Sequence, residues 1–211
     1  MSGADHSGAL EQSLMELQQA AEKAELLLQQ RPETELAQID CGPGCGSCCV
    51  VNVSTLLPEG VAITRYVRQL PAQEQQGVVE GLEVLWREVR GLDDEERLVV
   101  RRKCAFLNMQ GSCSIYPVRP LLCRSITSTD QQSCRDALDG AMFGEERVVL
   151  MNMYQQQLYE VLFIELAEKL EQRGVDGRSF QLSGLVRYLL SNPEVEVELF
   201  SGRRLDWQDI Y

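Results

Sequence analysis

Nine consecutive residues, Cys41-Gly-Pro-Gly-Cys45-Gly-Ser-Cys48-Cys49, constrain this chain more than any other stretch. Three glycines and a proline keep the backbone in a loop there, yet the loop carries four thiols. Four more cysteines, Cys104, Cys113, Cys123 and Cys134, follow in a second turn-rich stretch with Gly111, Pro117 and Pro120. Against eight thiols stands one histidine, His6. The chain opens on small polar residues with no apolar run behind them, so the expected compartment is the cytoplasm, where structural disulfides are rare. Metal ligation is then the leading explanation for the thiols. Thiolates are strong ligands for zinc, copper(I) and iron–sulfur clusters, and a glycine-rich loop can curl several toward one point. Disulfide staples and unrelated buried thiols are the blander alternatives.

Two familiar spacings sit inside the first cluster. Cys41, Cys45 and Cys48 have the C-x3-C-x2-C spacing of radical S-adenosylmethionine enzymes, but those need alternating strands and helices, and the region after residue 58 reads as helices and loops. Cys45-Gly-Ser-Cys48 is a C-x-x-C, whose redox use calls for a βαβ context that is also missing. A Cys–His nucleophile pair is weaker still, with His6 remote in a tail expected to be disordered over residues 1–9.

The rest reads mainly as helix, forming one domain over 10–211. Leu10, Leu14, Leu17, Ala21, Ala24 and Leu28 recur at helical spacing, so an N-terminal helix is expected within 10–31, ended by Pro32. Val50–Thr55 suits a short strand, and helices are expected over 59–70, 71–90 and 93–103. A long helix over 144–173 would have Val148, Leu158, Val161, Leu162 and Leu166 among its apolar positions. Another covers 181–190, and Val195–Leu199, alternating apolar and acidic, suits an edge strand. The fold class is therefore mainly α, helices around an irregular cysteine-ligated core at 36–135, with a helical C-terminal part at 144–211 and little β. Phe106, Tyr116 and Tyr154 read as core, and Glu59 as a helix-start carboxylate.

With 32 acidic and 20 basic residues the chain carries a net charge of -12, which argues against a nucleic-acid surface. No apolar run approaches the ~20 residues of a membrane span. Charge reverses locally: from Arg97 to Arg135 seven basic residues face one acid, Asp130, a net of +6. A thiolate site is anionic, so Arg119 and Arg124 are expected to stand behind the ligands and donate to sulfur. Arg97, Arg101, Arg102 and Lys103 suit either that role or surface ion pairs.

The first cluster, followed by Cys104-Ala-Phe-Leu, Gly111-Ser-Cys113-Ser-Ile-Tyr116 and Arg119-Pro120-Leu-Leu-Cys123-Arg124, resembles the YkgJ family of cysteine-cluster proteins. The resemblance covers about residues 36–135. Two departures are the three residues between Cys41 and Cys45 and Ala105, where proline is common. It implies a zinc- or iron-chelating domain, an iron–sulfur centre included, with Cys41, Cys45, Cys48, Cys49, Cys104, Cys113, Cys123 and Cys134 as metal ligands. Some relatives are flagellin lysine N-methylases with an iron–sulfur cluster. They are longer proteins, and that activity is not carried over. The expected function is metal binding, with iron–sulfur-dependent methyl-transfer chemistry or metal sensing and delivery as alternatives. Because four ligands complete a tetrahedral zinc or one cubane cluster, eight imply a polynuclear or two-centre site. Neighbouring side chains diverge in extended chain, so Cys48 is expected to join Cys41 and Cys45, and Cys49 the sulfurs of the second stretch.

Overall fold

A computed structural model of the chain describes residues 4–31 and 38–211, with side chains from residue 8 onward. The His6 side chain, Pro32 and the start of the expected core at 36 lie outside the described residues. Ten α-helices and one two-stranded sheet are present among those described: α1 Ala4–Gln29, α2 Leu57–Val67, α3 Ala72–Val89, α4 Asp94–Val100, α5 Leu121–Ser125, α6 Gln131–Ala141, α7 Met153–Gln172, α8 Leu182–Ser191, α9 Val195–Leu199 and α10 Trp207–Ile210. Strands β1 (Ser54–Thr55) and β2 (Phe180–Gln181) pair antiparallel, Ser54 with Gln181 and Thr55 with Phe180. The mainly α class is as the sequence predicts.

Two apolar clusters organise the helices. In the larger, Leu10 and Ala24 of α1 meet Leu162, Leu166 and Leu170 of α7, with Leu57 and Val61 of α2 and Leu185 and Leu189 of α8. The remaining residues of the α1 stripe pack against it. The smaller joins the other faces of α2 and α8 to Val78 and Leu82 of α3, and closes on Phe106 and Ile115. Cys104, Cys113 and Cys123 pack against this second cluster. The second cysteine stretch thus borrows its order from a helical wall.

Several sequence expectations are corrected. Helix α1 begins at Ala4 rather than Leu10, so residues 4–9 of the expected tail are its first turns, and Ala9 already packs on the core. The long helix starts at Met153, not 144. Asn152 caps it by accepting from the Gln155 N–H at 3.0 Å, and the chain before it is extended, with Ser128 bridged to Met151 and Thr129 N–H donating to Leu150 O. Val148, in that extended segment, is exposed, and Val161 lies on the solvent face of the helix. Helix α6 was hidden in a turn-rich reading; its start is Asp130, whose carboxylate accepts from Gln132 N–H at 2.8 Å. The expected edge strand at Val195–Leu199 is helix α9, because Val195 and Leu199, four apart, both reach the core while Glu196 pairs with Arg68 at 2.6 Å.

Glu59 does more than begin a helix. It is 1 % exposed. One carboxylate oxygen accepts from Leu56 N–H and the other from Leu121 N–H, each at 2.7 Å. It therefore ties the start of α2 to the start of α5, the helix that carries Cys123. Burial pushes its carboxyl up to about 7, against the pull of those two N–H donors and Arg124. The fold therefore binds a proton here that the unfolded chain, titrating near 4.5, has lost. That contribution is complete below pH 4.5 and is lost as pH rises through about 7. At ~1.4 kcal/mol per unit the difference is roughly 3 kcal/mol. Metal-free wild type should lose about that much stability relative to Glu59→Gln between pH 4.5 and 7.5 in denaturant titrations. Glu59→Ala, which strands two buried N–H groups, should cost about 2–4 kcal/mol at pH 5.

Candidate metal centre

The 41–49 loop is built from tight turns. Cys45 N–H returns to Gly42 O at 3.0 Å and Cys49 N–H to Gly46 O at 3.3 Å, and Cys48–Val50 form one 3-10 turn. The second stretch folds back on itself, with Leu107 bridged to Cys113. Asn108 closes that loop by accepting from the N–H groups of Gln110 and Ser112 at 3.0 and 2.9 Å.

The two loops are sewn together along one seam. Cys104 N–H donates to Cys49 O at 2.7 Å, and Lys103 Nζ to Gly46 O at 2.9 Å. Gly44 (φ 87°) and Gly111 (φ 74°) face each other across it. Both need the left-handed conformation that glycine adopts freely, and a Cβ on Gly111 would stand 3.2 Å from Gly44 O. A third segment closes the other side: Asp40 N–H donates to Ser128 O, and Ser128 N–H to Cys41 Sγ at 3.2 Å.

This arrangement gathers all eight predicted ligands. Seven of them, all but Cys134, line one cavity of about 530 Å³. Cys134, on α6, stands with Cys41, Cys45 and Cys48 around a much smaller one of about 20 Å³ on the far side of the loop. Cys41, Cys45 and Cys48 line both. Contrary to the extended-chain expectation, Cys48 and Cys49 do not diverge; the 3-10 turn keeps both on the larger cavity. All eight cysteines are free thiols, Cys41 exposed and the rest half-buried. No three His, Cys, Asp or Glu side chains among the described residues are arranged to hold an ion as they stand. The sulfurs are gathered but not closed into a shell.

Their surroundings push five of the thiols up. The neighbouring Cys49 thiol, then burial, raises Cys48 far above the ordinary thiol range. Burial raises Cys104 to about 11, opposed by the Phe106 N–H and Arg97. Cys123 is pushed well up by burial and by Cys104. Cys113 and Cys41 are raised by burial while accepting from the N–H groups of Ile115 and Ser128. Backbone N–H groups aimed at sulfur are the donors that steady a metal-bound thiolate.

The arginines divide differently from expectation. Arg119 lines the cavity, and its charge acts on Cys48, Cys113 and Cys123. Its guanidinium lies 4.2 Å over the ring of Tyr116, which is exposed rather than core. Arg124 is committed elsewhere, to Glu25 of α1 at 3.0 Å and to the carbonyls of Arg119 and Pro117. It fastens the second stretch to α1. Arg97, which the sequence left between a surface pair and a site role, is 3 % exposed and lines the cavity. Three buried polar atoms in this wall have no hydrogen-bond partner: Arg97 Nη1, Arg119 Nε and Thr127 Oγ1. A sulfur-only donor set, backed by N–H groups and unpartnered cationic donors, fits zinc, iron or an iron–sulfur cluster.

Residues 40–141 match the family model CxxCxxCC, described as a putative zinc- or iron-chelating domain. The match spans all eight cysteines, as the resemblance in the sequence implies. No curated protein and no solved structure matches the chain.

Because cysteine binds metal as thiolate and the raised thiols of Cys41, Cys48, Cys104, Cys113 and Cys123 hold their protons at neutral pH, zinc uptake should release protons. Zinc affinity should fall on acidification from pH 8 to pH 6, by about tenfold per pH unit for each proton released. Calorimetric titration in two buffers of unlike ionisation heat measures that number. An affinity independent of pH would mean the thiols are not the ligands.

Proposed function

We propose that this chain is a metal-binding protein that holds zinc or an iron centre, iron–sulfur included, in two adjoining sets of cysteine thiolates. One observation carries the reading: thiols from two distant segments converge on adjoining cavities that share Cys41, Cys45 and Cys48. The outer set is Cys41, Cys45, Cys48 and Cys134, and the inner set Cys49, Cys104, Cys113 and Cys123. Relative to the sequence reading, Cys134 moves to the outer set. Bound metal would supply the cation that clustered thiolates need, and the helical wall behind the second apolar cluster would hold the inner set in place. The cytoplasm, where thiols are kept reduced, suits eight free cysteines.

A second reading, metal exchange with a partner protein, is favoured by one feature of the outer set. Cys41 is exposed, and thiolate exchange needs an accessible sulfur.

Anaerobic purification with metal analysis and an absorption spectrum separates zinc from iron. In native mass spectrometry the wild type should carry two centres, Cys41→Ser should lose the outer one and Cys113→Ser the inner one. A single mononuclear metal retained by both variants would overturn the two-set assignment. Removing residues 1–7, His6 among them, should leave metal content unchanged.

Chelation should expose 41–134 to hydrogen exchange far more than α7. Structural zinc contributes about 10–16 kcal/mol in small thiolate sites, whereas α7 is held by its own apolar face. Equal loss of protection in both regions would sink this reading.

A further inference from the structure

The larger cavity is too big for its sulfurs. Its volume of about 530 Å³ lies within the ~300–1,000 Å³ of small-molecule sites. Beside the thiols, its lining includes Leu82, Leu85 and Val89 of α3, with Val53 and Leu182, side chains that cannot ligate a metal. Apolar walls of this kind are favourably covered by an apolar guest.

Arg97 supplies the polar half of the description. It enters the cavity from α4, is almost wholly buried, and its Nη1 has no hydrogen-bond partner. Among the described residues no carboxylate pairs with it. The neighbouring amides are already used: Asn52 donates to Leu92 O and Asp94 and accepts from Gln181. A buried guanidinium with an unmet donor is costly unless an anion meets it.

We propose that the apolar part of this cavity's lining forms a binding site for a small organic carboxylate with an apolar body, its carboxylate received by Arg97. The ligand lies beside the thiol set. The inference deepens the metal-binding reading and rests on it only for what the sulfurs hold.

Octanoate is a suitable probe, with octan-1-ol as its uncharged counterpart. Titration calorimetry on the metal-loaded protein should show octanoate binding at least tenfold more tightly than octan-1-ol. Arg97→Met should abolish that preference, and Arg97→Lys should keep most of it. Leu85→Phe, which enlarges a side chain of the apolar lining, should weaken both probes about tenfold or more. Metal content is read on every sample by native mass spectrometry and should not change. Equal binding of the two probes, or no octanoate binding by metal-loaded wild type, overturns the inference while leaving the metal reading intact. So does an Arg97→Met variant that loses metal but keeps its octanoate preference, because Arg97 would then serve the thiolates alone. Octanoate binding by a chain whose cysteines hold no metal would sink the metal reading and keep this one.

Discussion

The middle of the chain depends on a seam between two loops that have almost no regular structure. Cys104 N–H meets Cys49 O at 2.7 Å, and Gly44 and Gly111 allow the backbones to close together beside that bond. Without the seam, the two sets of cysteines would be separate motifs. With it, a thiol on one loop faces thiols from the other across a common cavity. Glycine is needed on both sides because each loop reverses direction where it meets the other, and a side chain at Gly111 would press on the opposing carbonyl.

The seam has few apolar contacts of its own, so the helices must position it. The second apolar cluster does this for the inner cysteines, packing Cys104, Cys113 and Cys123 against residues of α2, α3 and α8. Glu59 fixes the same stretch from another direction by holding the first N–H of α5. Arg124 completes the attachment through Glu25 of α1. The outer side is lighter: Ser128 holds Cys41 through its N–H and binds Leu150 O and Asp130 O through its hydroxyl. The two sets therefore differ in how much of the fold stands behind them.

Much of this was legible in the sequence where one periodicity or one composition dominated. The α1 stripe and the apolar face of α3 are simple helical patterns, and the glycines around Cys41 to Cys49 leave no option but a loop. Legibility failed where a local signal competed with a tertiary one. The Val195–Leu199 alternation has period two, but the same residues also place Val195 and Leu199 four apart, and the core with Arg68 selects the helix. Residues 144–152 continue an apolar pattern, yet pairing with 127–130 draws them out as extended chain. Cys48 and Cys49 could not be separated by counting, since a 3-10 turn reverses what an extended chain would do. Arg97 and Arg124 were equally basic in sequence. Only packing shows that the first enters the cavity and the second ties down a helix.

The division of the arginines bears on charge. Four thiolates around a divalent ion carry two negative charges, and a cubane held by four thiolates is likewise anionic. Burying such a centre without compensation is costly, because the interior screens charge far less than water. Arg119 acts on Cys113 and Cys123 of the inner set and on Cys48 of the outer one. No arginine acts comparably on Cys41, which is instead exposed to solvent. Under the proposed reading Arg119 serves both centres through Cys48 and Cys113, and the outer one is also screened by water at Cys41. The inner centre, whose Cys104, Cys113 and Cys123 pack against the helical wall, is bound to the fold. An outer centre screened by solvent can release its metal with much less disturbance to the helices behind it.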